Sequence, residues 1–549
     1  MSEQSKDKKS WRKTGCIWLI LCAVIAGVLA WFDLDAIRRG QHVPTYWQQF
    51  LFSVIGAALL LGLWWLIRWP FASWRNFRRT LVGLAAFATL AAVFYTEENW
   101  RGKRAWENCK AELEAKGVVL DWNKFIPPPV PDDQNFFKAP KMAEWFVGRN
   151  RTNDLLVRMS DKKFEKATGS ATAATNLIAT TAAAKEYLAW SEQFEPDFDL
   201  IREALKRPYA RMNGDYSRPF EISIPNFVAM RMIAQTLAQR THCYLLLGQP
   251  GKALPELALL NGYRRLLEGA PTGKPMTLVT AMINVAVAGV YVQAVAEGIK
   301  QQAWQDFELE AIQAQLAEIN LTPCFSQAFA CEPAAVCHTA EIVEPRKMVA
   351  MEIVSSNPQT RKSHLENLWS EIKSLPSRLF NLVPRGWIYQ NMATHAKLSC
   401  SIYDSLFDAN GLVTPHLADQ TSKRVFAELE HKSLFNLLSR VGLPNYSKAL
   451  QGFARNQTLA NQAQVVCALE RYRLAHGGYP ETLATLMPRF IEKLPPDIIG
   501  GQPLHYRRTD DGKFLLYSVG WNETDDGGVT AKDKSGNEDK TQGDWVWKN

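Results

Sequence analysis

Residues 81–95, LVGLAAFATLAAVFY, decide how the rest of the chain is read. The stretch carries no charge, but it is short and rich in alanine, with Gly83 inside it. If it crosses a membrane, everything from residue 97 onward lies on the far side. If it is instead a buried or interfacial helix, the large region that follows stays in the cytoplasm.

Two apolar runs precede it. Cys16–Phe32 follows Lys6, Lys8, Lys9, Arg12 and Lys13, an order that resembles the charged and apolar regions of a signal peptide. No small-x-small cleavage site lies at its end. Trp31 and Phe32 stand there instead, and aromatic residues suit a membrane interface, so the run reads as an uncleaved anchor. Phe50–Ile67 is long enough to cross a hydrocarbon core, with Trp47, Trp64, Trp65 and Trp69 near its ends. The expected spans are therefore about 15–32, 49–68 and 80–96, within a membrane anchor of residues 1–96. Arg68, Arg75, Arg78 and Arg79 crowd the second connection, whereas Arg38 and Arg39 in the first are offset by Asp33 and Asp35. The positive-inside rule then places the N-terminus in the cytoplasm and the large C-terminal region outside, on the periplasmic side of a bacterial-type inner membrane.

Composition fits that plan. With 47% hydrophobic and 21% charged residues, the chain is of ordinary globular make-up diluted by membrane segments. Its net charge of +8 is partly concentrated beside the apolar runs and forms no long polybasic tract, so nucleic acid is not an expected partner. The expected partners are the membrane and other envelope proteins. Outside the first run, Cys109, Cys243, Cys324, Cys331, Cys337, Cys400 and Cys467 are too sparse for a disulfide scaffold, although one or two bridges would be compatible with them.

From Thr96 the segment TEENWRGKRAWENCKAELEAKG reads as an amphipathic helix leaving the membrane, with Gly117 as its stop. Ile126-Pro127-Pro128-Pro129-Val130-Pro131 reads as an extended, stiff linker, so residues 97–139 form a stalk and spacer. Residues 140–450 form an α-helical domain. The Ala/Thr-rich tract from Ala167 to Ala184 fits a helix or a loop equally. Asn226–Leu247 and Lys252–Leu267 pair across Gly248-Gln249-Pro250-Gly251 as an antiparallel hairpin, and Met276–Ile299 with Trp304–Ile319 gives a second pair. Ala238, Leu247-Gly248, Ala253 and Leu257 make the first hairpin resemble a tetratricopeptide unit. No regular period follows, so an irregular helical array or bundle is expected. Pro323, Pro333 and Pro345 should interrupt any long helix in Asn320–Pro345. Further helices are expected at Lys347–Ile353, Leu365–Lys373, Tyr389–Phe407 and Ser422–Leu438.

The period changes near the C-terminus. Asn456–His476 is helical and ends at Gly477-Gly478. Residues 503–508 and 513–519 then read as strands joined by an Asp510-Asp511-Gly512 turn. QVVCALERYRLAHGGYPETLATLMP (464–488), LPPDIIGGQPLHYRR (494–508) and DGKFLLYSVGWNETDDGG (511–528) together resemble the globular part of the major pseudopilin of type II secretion systems. The resemblance covers about the last ninety residues, within a module of residues 451–549. It implies a helix laid on a small antiparallel sheet, and a loop that binds calcium through carboxylate and backbone oxygens, the hard ligands that ion needs. The loop residues here are Asn522, Asp525, Asp526, Asp533 and Asp544; Asn522 stands where the family usually has aspartate, which removes a charge. A solvated acidic loop without an ion is the alternative. The module follows a helical domain and has no processed pilin leader before it, so a place in a pilus shaft is not implied.

Other chemistry is thinly marked. Cys324, Cys331, Cys337 and His338 are the densest set of soft ligands, yet they lack C-x-x-C or paired-histidine spacing, and buried thiols or a disulfide account for them better than zinc. No G-x-S-x-G elbow, Walker loop, dinucleotide fingerprint or H-E-x-x-H helix is present. His242, His395 and His431 sit in helical segments as packed or surface residues. Glu192, Glu195, Asp197 and Asp199 could form a paired-carboxylate site or a solvated acidic turn.

The sequence thus predicts a mainly α protein: three N-terminal transmembrane helices, an irregular helical-hairpin domain and a small C-terminal α+β module. The expected role is a membrane-anchored extracytoplasmic binding or scaffold protein. An envelope hydrolase with its site in the helical domain, or a calcium-dependent assembly or adhesion module, are the alternatives.

Overall fold

A computed structural model describes residues 58, 62, 64, 68–146, 154–160, 178, 180–268, 277–342, 383–431, 433–443 and 446–548. The chain divides into two compact units, Met1–Glu97 and Glu98–Asn549. The first expected span and most of the second lie outside the described residues, as do the helices expected at Lys347–Ile353 and Leu365–Lys373.

The stretch 81–95 is helical, but its helix ends at neither side of it. Helix α1 runs without a break from Trp74 to Ala115. The Ser73 hydroxyl accepts the Asn76 amide at 3.2 Å and caps the start. Gly117, with φ of +85°, allows the left-handed turn that stops it. No proline lies between these ends, so the apolar run and the polar segment after it propagate as one rod. Leu81, Val82, Leu84, Phe87, Leu90, Val93 and Phe94 are all exposed. Three spans were expected; among the described residues, two helices are long and apolar enough to cross a membrane, and only α1 coincides with an expected span. The other, Leu278–Lys300, is 61% buried over its apolar stretch, whereas the corresponding stretch of α1 is 0% buried. Strong hydropathy therefore serves a protein core in one case and an uncovered surface in the other, and the more apolar helix is the covered one.

In the second unit the helices are α2 (Met142–Phe146), α3 (Asp154–Met159), α4 (Thr181–Ser191), α5 (Glu195–Ala204), α6 (Phe227–Leu246), α7 (Pro250–Arg265) and α8 (Leu278–Lys300). Then come α9 (Asp306–Ala317), α10 (Thr322–Ile342), α11 (Arg385–Tyr403), α12 (Pro415–Glu430), α13 (Leu437–Gly442) and α14 (Tyr446–His476). Local chemistry sets the ends. Asn226, Thr277 and Thr180 each accept an amide of the first turn of the helix they precede, and Pro250 and Pro415 occupy first helical positions, where no amide donor is needed. The expected hairpin is α6 against α7, turned through Gly248 at φ of +67°.

Prolines break this fold less than expected. Helix α10 continues straight through Pro333. Pro323 sits in the first turn, where its missing donor is not needed, and Pro333 removes one donor while Cys331, Ala334 and Ala335 bury against Trp122. The proline-rich segment is likewise no free spacer. Pro127 is buried, its carbonyl accepts the Arg211 guanidinium at 3.4 Å, and the Trp122 indole donates to the Tyr216 carbonyl at 2.6 Å. These contacts strap the segment onto the helical unit.

Helix α14 ties the second unit together. It packs on α8, α9 and the C-terminal strands, and its buried glutamines supply the polar fixings. Gln457 donates to the Ile319 carbonyl and accepts the Leu321 amide, and Gln462 donates to the Trp545 carbonyl at 2.7 Å. Strands β1 (His505–Arg508), β2 (Phe514–Ser518), β3 (Thr530–Lys532), β4 (Glu538–Gly543) and β5 (Trp545–Val546) follow. The antiparallel order is β1-β2-β5, with His505 opposite Tyr517 and Tyr517 opposite Val546; β3 and β4 form a separate hairpin. One contiguous apolar core runs from Phe136 through α14 to Trp547.

Candidate functional site

The acidic segment 192–199 is where a paired-carboxylate site would lie. Glu195 is the first residue of α5 and accepts Arg240 at 2.7 Å and Arg202 at 2.8 Å. Asp197 accepts both terminal nitrogens of Arg158, and Asp199 accepts Arg202 at 2.6 Å; Glu192 is exposed. Arg240, with its side chain 4% exposed, also binds Glu256 on α7 at 2.7 Å. Burial pushes the Glu256 carboxyl above its usual range in spite of that arginine. The carboxylates are thus brought together around arginines, in a network that ties α3, α5, α6 and α7. A general acid needs a carboxyl facing substrate, and these face guanidinium groups.

The soft-ligand set is dispersed. Cys324 and His338 stand about 20 Å apart along α10, at 1.5 Å per residue, where a single zinc needs its ligands within about 2.3 Å of the ion. Cys324 packs near Asn284, Cys331 beside Trp122, and Cys337 beside Cys109 and Cys400; the His338 ring lies 3.0 Å from the Ser217 carbonyl. All seven cysteines from Cys109 to Cys467 are buried free thiols. Desolvation raises the Cys400 thiol to about 12 and raises Cys337 as well, so neither is an activated thiolate. His242 contacts the Ile178 carbonyl at 2.9 Å, and His431 is exposed. His395 is 1% exposed and held to about 4 by burial, with Ser399 Oγ at 3.4 Å on the next turn. It is a neutral core residue.

In the C-terminal loop, the five residues proposed as calcium ligands do different work. Asp544 is 1% exposed and accepts the backbone amides of Asp526 (3.2 Å) and Gly528 (2.6 Å). Asn522 donates to Asp526 at 2.9 Å. Asp525 accepts the Tyr517 hydroxyl and the Gly527 amide, and Asp533 closes the β3–β4 turn by accepting the Ser535 and Asn537 amides. Among the described residues, no group of three or more His, Cys, Asp or Glu side chains is arranged to hold a metal ion. A cleft lined by Pro127, Phe137, Arg211, Tyr216, Ile222 and Leu267 has a cavity of about 50 Å³, room for a water or two and well below a typical ligand pocket. Its cation is already engaged, since the Arg211 guanidinium lies over the Tyr216 ring at 4.2 Å.

The most constrained feature that sequence reasoning missed is the junction where α1 crosses the start of α11. Gly102 and Gly386 meet backbone to backbone. A Cβ on Gly102 would strike the Gly386 carbonyl, and one on Gly386 would strike the Glu98 carbonyl. The Gly386 amide donates to Asn99 Oδ1 at 2.8 Å, and the Trp387 indole donates to Glu98 Oε2 at 2.7 Å. Arg101 completes the arrangement with bonds of 2.8 and 2.7 Å to the same carboxylate. Below it, Trp106, Cys109 and Leu113 bury against Met392, Ala396 and Cys400. The available signal was Gly102 itself, a lone glycine inside a helical pattern that usually marks close packing. Chemically the junction holds a helix in place; it presents no reacting group.

Compared with protein-family models, curated proteins and solved structures, the chain matches none.

Proposed function

We propose that this chain is a membrane-anchored binding or scaffold protein whose large unit works outside the cytoplasm in an envelope assembly. The observation that carries the reading is α1: an apolar surface left wholly uncovered through Phe94, continued in the same helix by a segment that buries one face, Glu98, Gly102, Trp106, Cys109 and Leu113. The helical hairpins offer surfaces for partners, and the C-terminal module, which resembles a pseudopilin head, supplies a candidate docking element toward secretion-type components. The ion-paired state of Glu195, Asp197 and Asp199 favours binding over hydrolysis.

A C-terminal fusion tests the topology. A phosphatase active only outside the cytoplasm should give signal, and a fluorescent protein active only inside should not. The reverse pattern would refute the extracytoplasmic placement. Crosslinking in intact cells followed by purification should recover other envelope proteins; recovery of none would count against the scaffold role.

A further inference from the structure

The short helix α13 lies over a buried histidine. His395 on α11 is 1% exposed, and Ser439 on α13 is fully enclosed. A Cβ at Gly442 would stand 3.6 Å from His395 Cε1, so α13 passes directly over the ring. Asn391, one turn before His395, ties the cover down: it accepts the Leu438 amide at 3.0 Å and donates to the Leu434 carbonyl at 2.7 Å. Leu438 packs on the cluster around Met392 and Ala396, and Phe435 meets Trp387 edge to face at 5.9 Å. A helix of 6 residues makes under two turns and has few hydrogen bonds of its own, so α13 stays in place only while its seat on α11 is favourable. Such elements open locally while the rest of a unit remains folded.

The imidazole is placed to carry one proton and not two. Nε2 lies 3.4 Å from Ser399 Oγ, and that hydroxyl also bonds the Tyr446 hydroxyl at the start of α14. Nδ1 is buried and, among the described residues, has no hydrogen-bond partner. The imidazolium would therefore bury a charge together with an N–H that lacks an acceptor. The charged and titratable groups of the surrounding elements are engaged elsewhere. Glu332 on α10 accepts the Leu278 amide at 3.1 Å, Tyr446 on α14 is met only through Ser399, and Lys397 on α11 pairs with Glu112 at 3.4 Å. Neither these nor Arg440 on α13 and His431 at the end of α12 act on the ring, which burial alone depresses to about 4.

We propose that residues 433–443 form an acid-released cover: when His395 takes up a proton, α13 lifts from α11 and exposes the face that carries Asn391 and His395, while the other helices stay packed. The buried ring must be neutral, so the cover is firm above about pH 6.5, where a free imidazole loses its proton, and loosens as pH falls toward about 4. Those two values make opening roughly twentyfold more favourable at pH 5 than at pH 7. Acidification thus presents a surface on α11 that is closed at neutral pH.

Amide hydrogen exchange of the full chain in detergent, read by mass spectrometry at pH 7 and pH 5, tests this. Protection is taken relative to an unstructured peptide at the same pH, which removes the intrinsic pH dependence of exchange. In the wild type the amides of 437–443 should lose roughly twentyfold in protection at pH 5, while those of 463–469 in the middle of α14 keep theirs. His395→Gln and, where that variant does not fold, His395→Leu remove the titrating group and should abolish the difference between the two pH values. Undiminished protection of 437–443 in the wild type overturns the proposal. So does an equal loss in the variant, which would assign the effect to another group, and so does an equal loss in α14, which would mean that the whole unit unfolds.

Discussion

Replacing Gly386 by alanine tests whether the close crossing of α1 and α11 constrains the packing of the large unit. The new Cβ would strike the Glu98 carbonyl and press on Asn99, so the two helices must separate. Overpacking of this kind costs about 1–3 kcal/mol. Separation also stretches two hydrogen bonds, Gly386 to Asn99 and Trp387 to the Glu98 carboxylate. A bond to a charged group contributes about 1.5–3 kcal/mol, and only part of it would be lost, so the total should reach about 2–4 kcal/mol. In a unit this large each kcal/mol shifts the melting temperature by only about 1–2 °C, so urea unfolding of the full chain in detergent, followed by tryptophan emission, is the better assay. Gly83→Ala is the matched control. Nothing lies within 4 Å of a Cβ at Gly83, so alanine there should be neutral or slightly stabilising through helix propensity. If Gly386→Ala and wild type unfold at the same urea concentration, the crossing is not the constraint described here.

The buried Arg240–Glu256 pair should behave as a unit. Arg240→Met leaves Glu256 buried without its cation and should cost about 3–5 kcal/mol, with much of that recovered in the Arg240→Met, Glu256→Gln double variant; equal stability of the single and double variants would contradict the pairing. Asp497 is 2% exposed, and burial raises its carboxyl to about 6. Because the folded value lies above the unfolded one, folding takes up a proton. The resulting stability, about 2–3 kcal/mol, is fully present below about pH 4 and is lost as pH rises through about 6. Asp497→Asn should abolish that decline, as measured by urea midpoints from pH 4 to 7. Asp544 is satisfied by two backbone amides, so a chelator should leave the melting temperature unchanged while Asp544→Ala lowers stability by about 1–3 kcal/mol; a fall on adding chelator, reversed by calcium, would instead establish an ion in the loop.

How much of this was legible in the sequence depended on the range of the interaction. Local signals read well. Asn226 and Gly248 marked the two ends of the first helix of the hairpin, and Asp510-Asp511-Gly512 marked a turn between strands, because caps and turns are decided within a few residues. Local rules misled where burial outweighed them. Pro333 lies inside α10, and Pro127 is buried under Arg211. The candidate site was less legible still. The acidic residues at 192–199 were visible as a set, but Arg158, Arg202 and Arg240, which pair with Asp197, Asp199 and Glu195, come from before, just after and well after the segment.

By itself the sequence determined the helical character, the change of period near residue 500 and the apolar run at 81–95, since each follows from side-chain periodicity along a single element. Only tertiary structure decided which of two strongly apolar helices is covered: Leu278–Lys300 is enclosed by neighbours, and α1 is bare through Phe94. Hydropathy records what a helix would prefer to touch, whereas burial depends on partners brought in from other elements of the chain. The same holds for Gly102 and Gly386: a lone glycine in a helical pattern hints at close packing, but its partner, almost three hundred residues away, is not named by the neighbourhood of either.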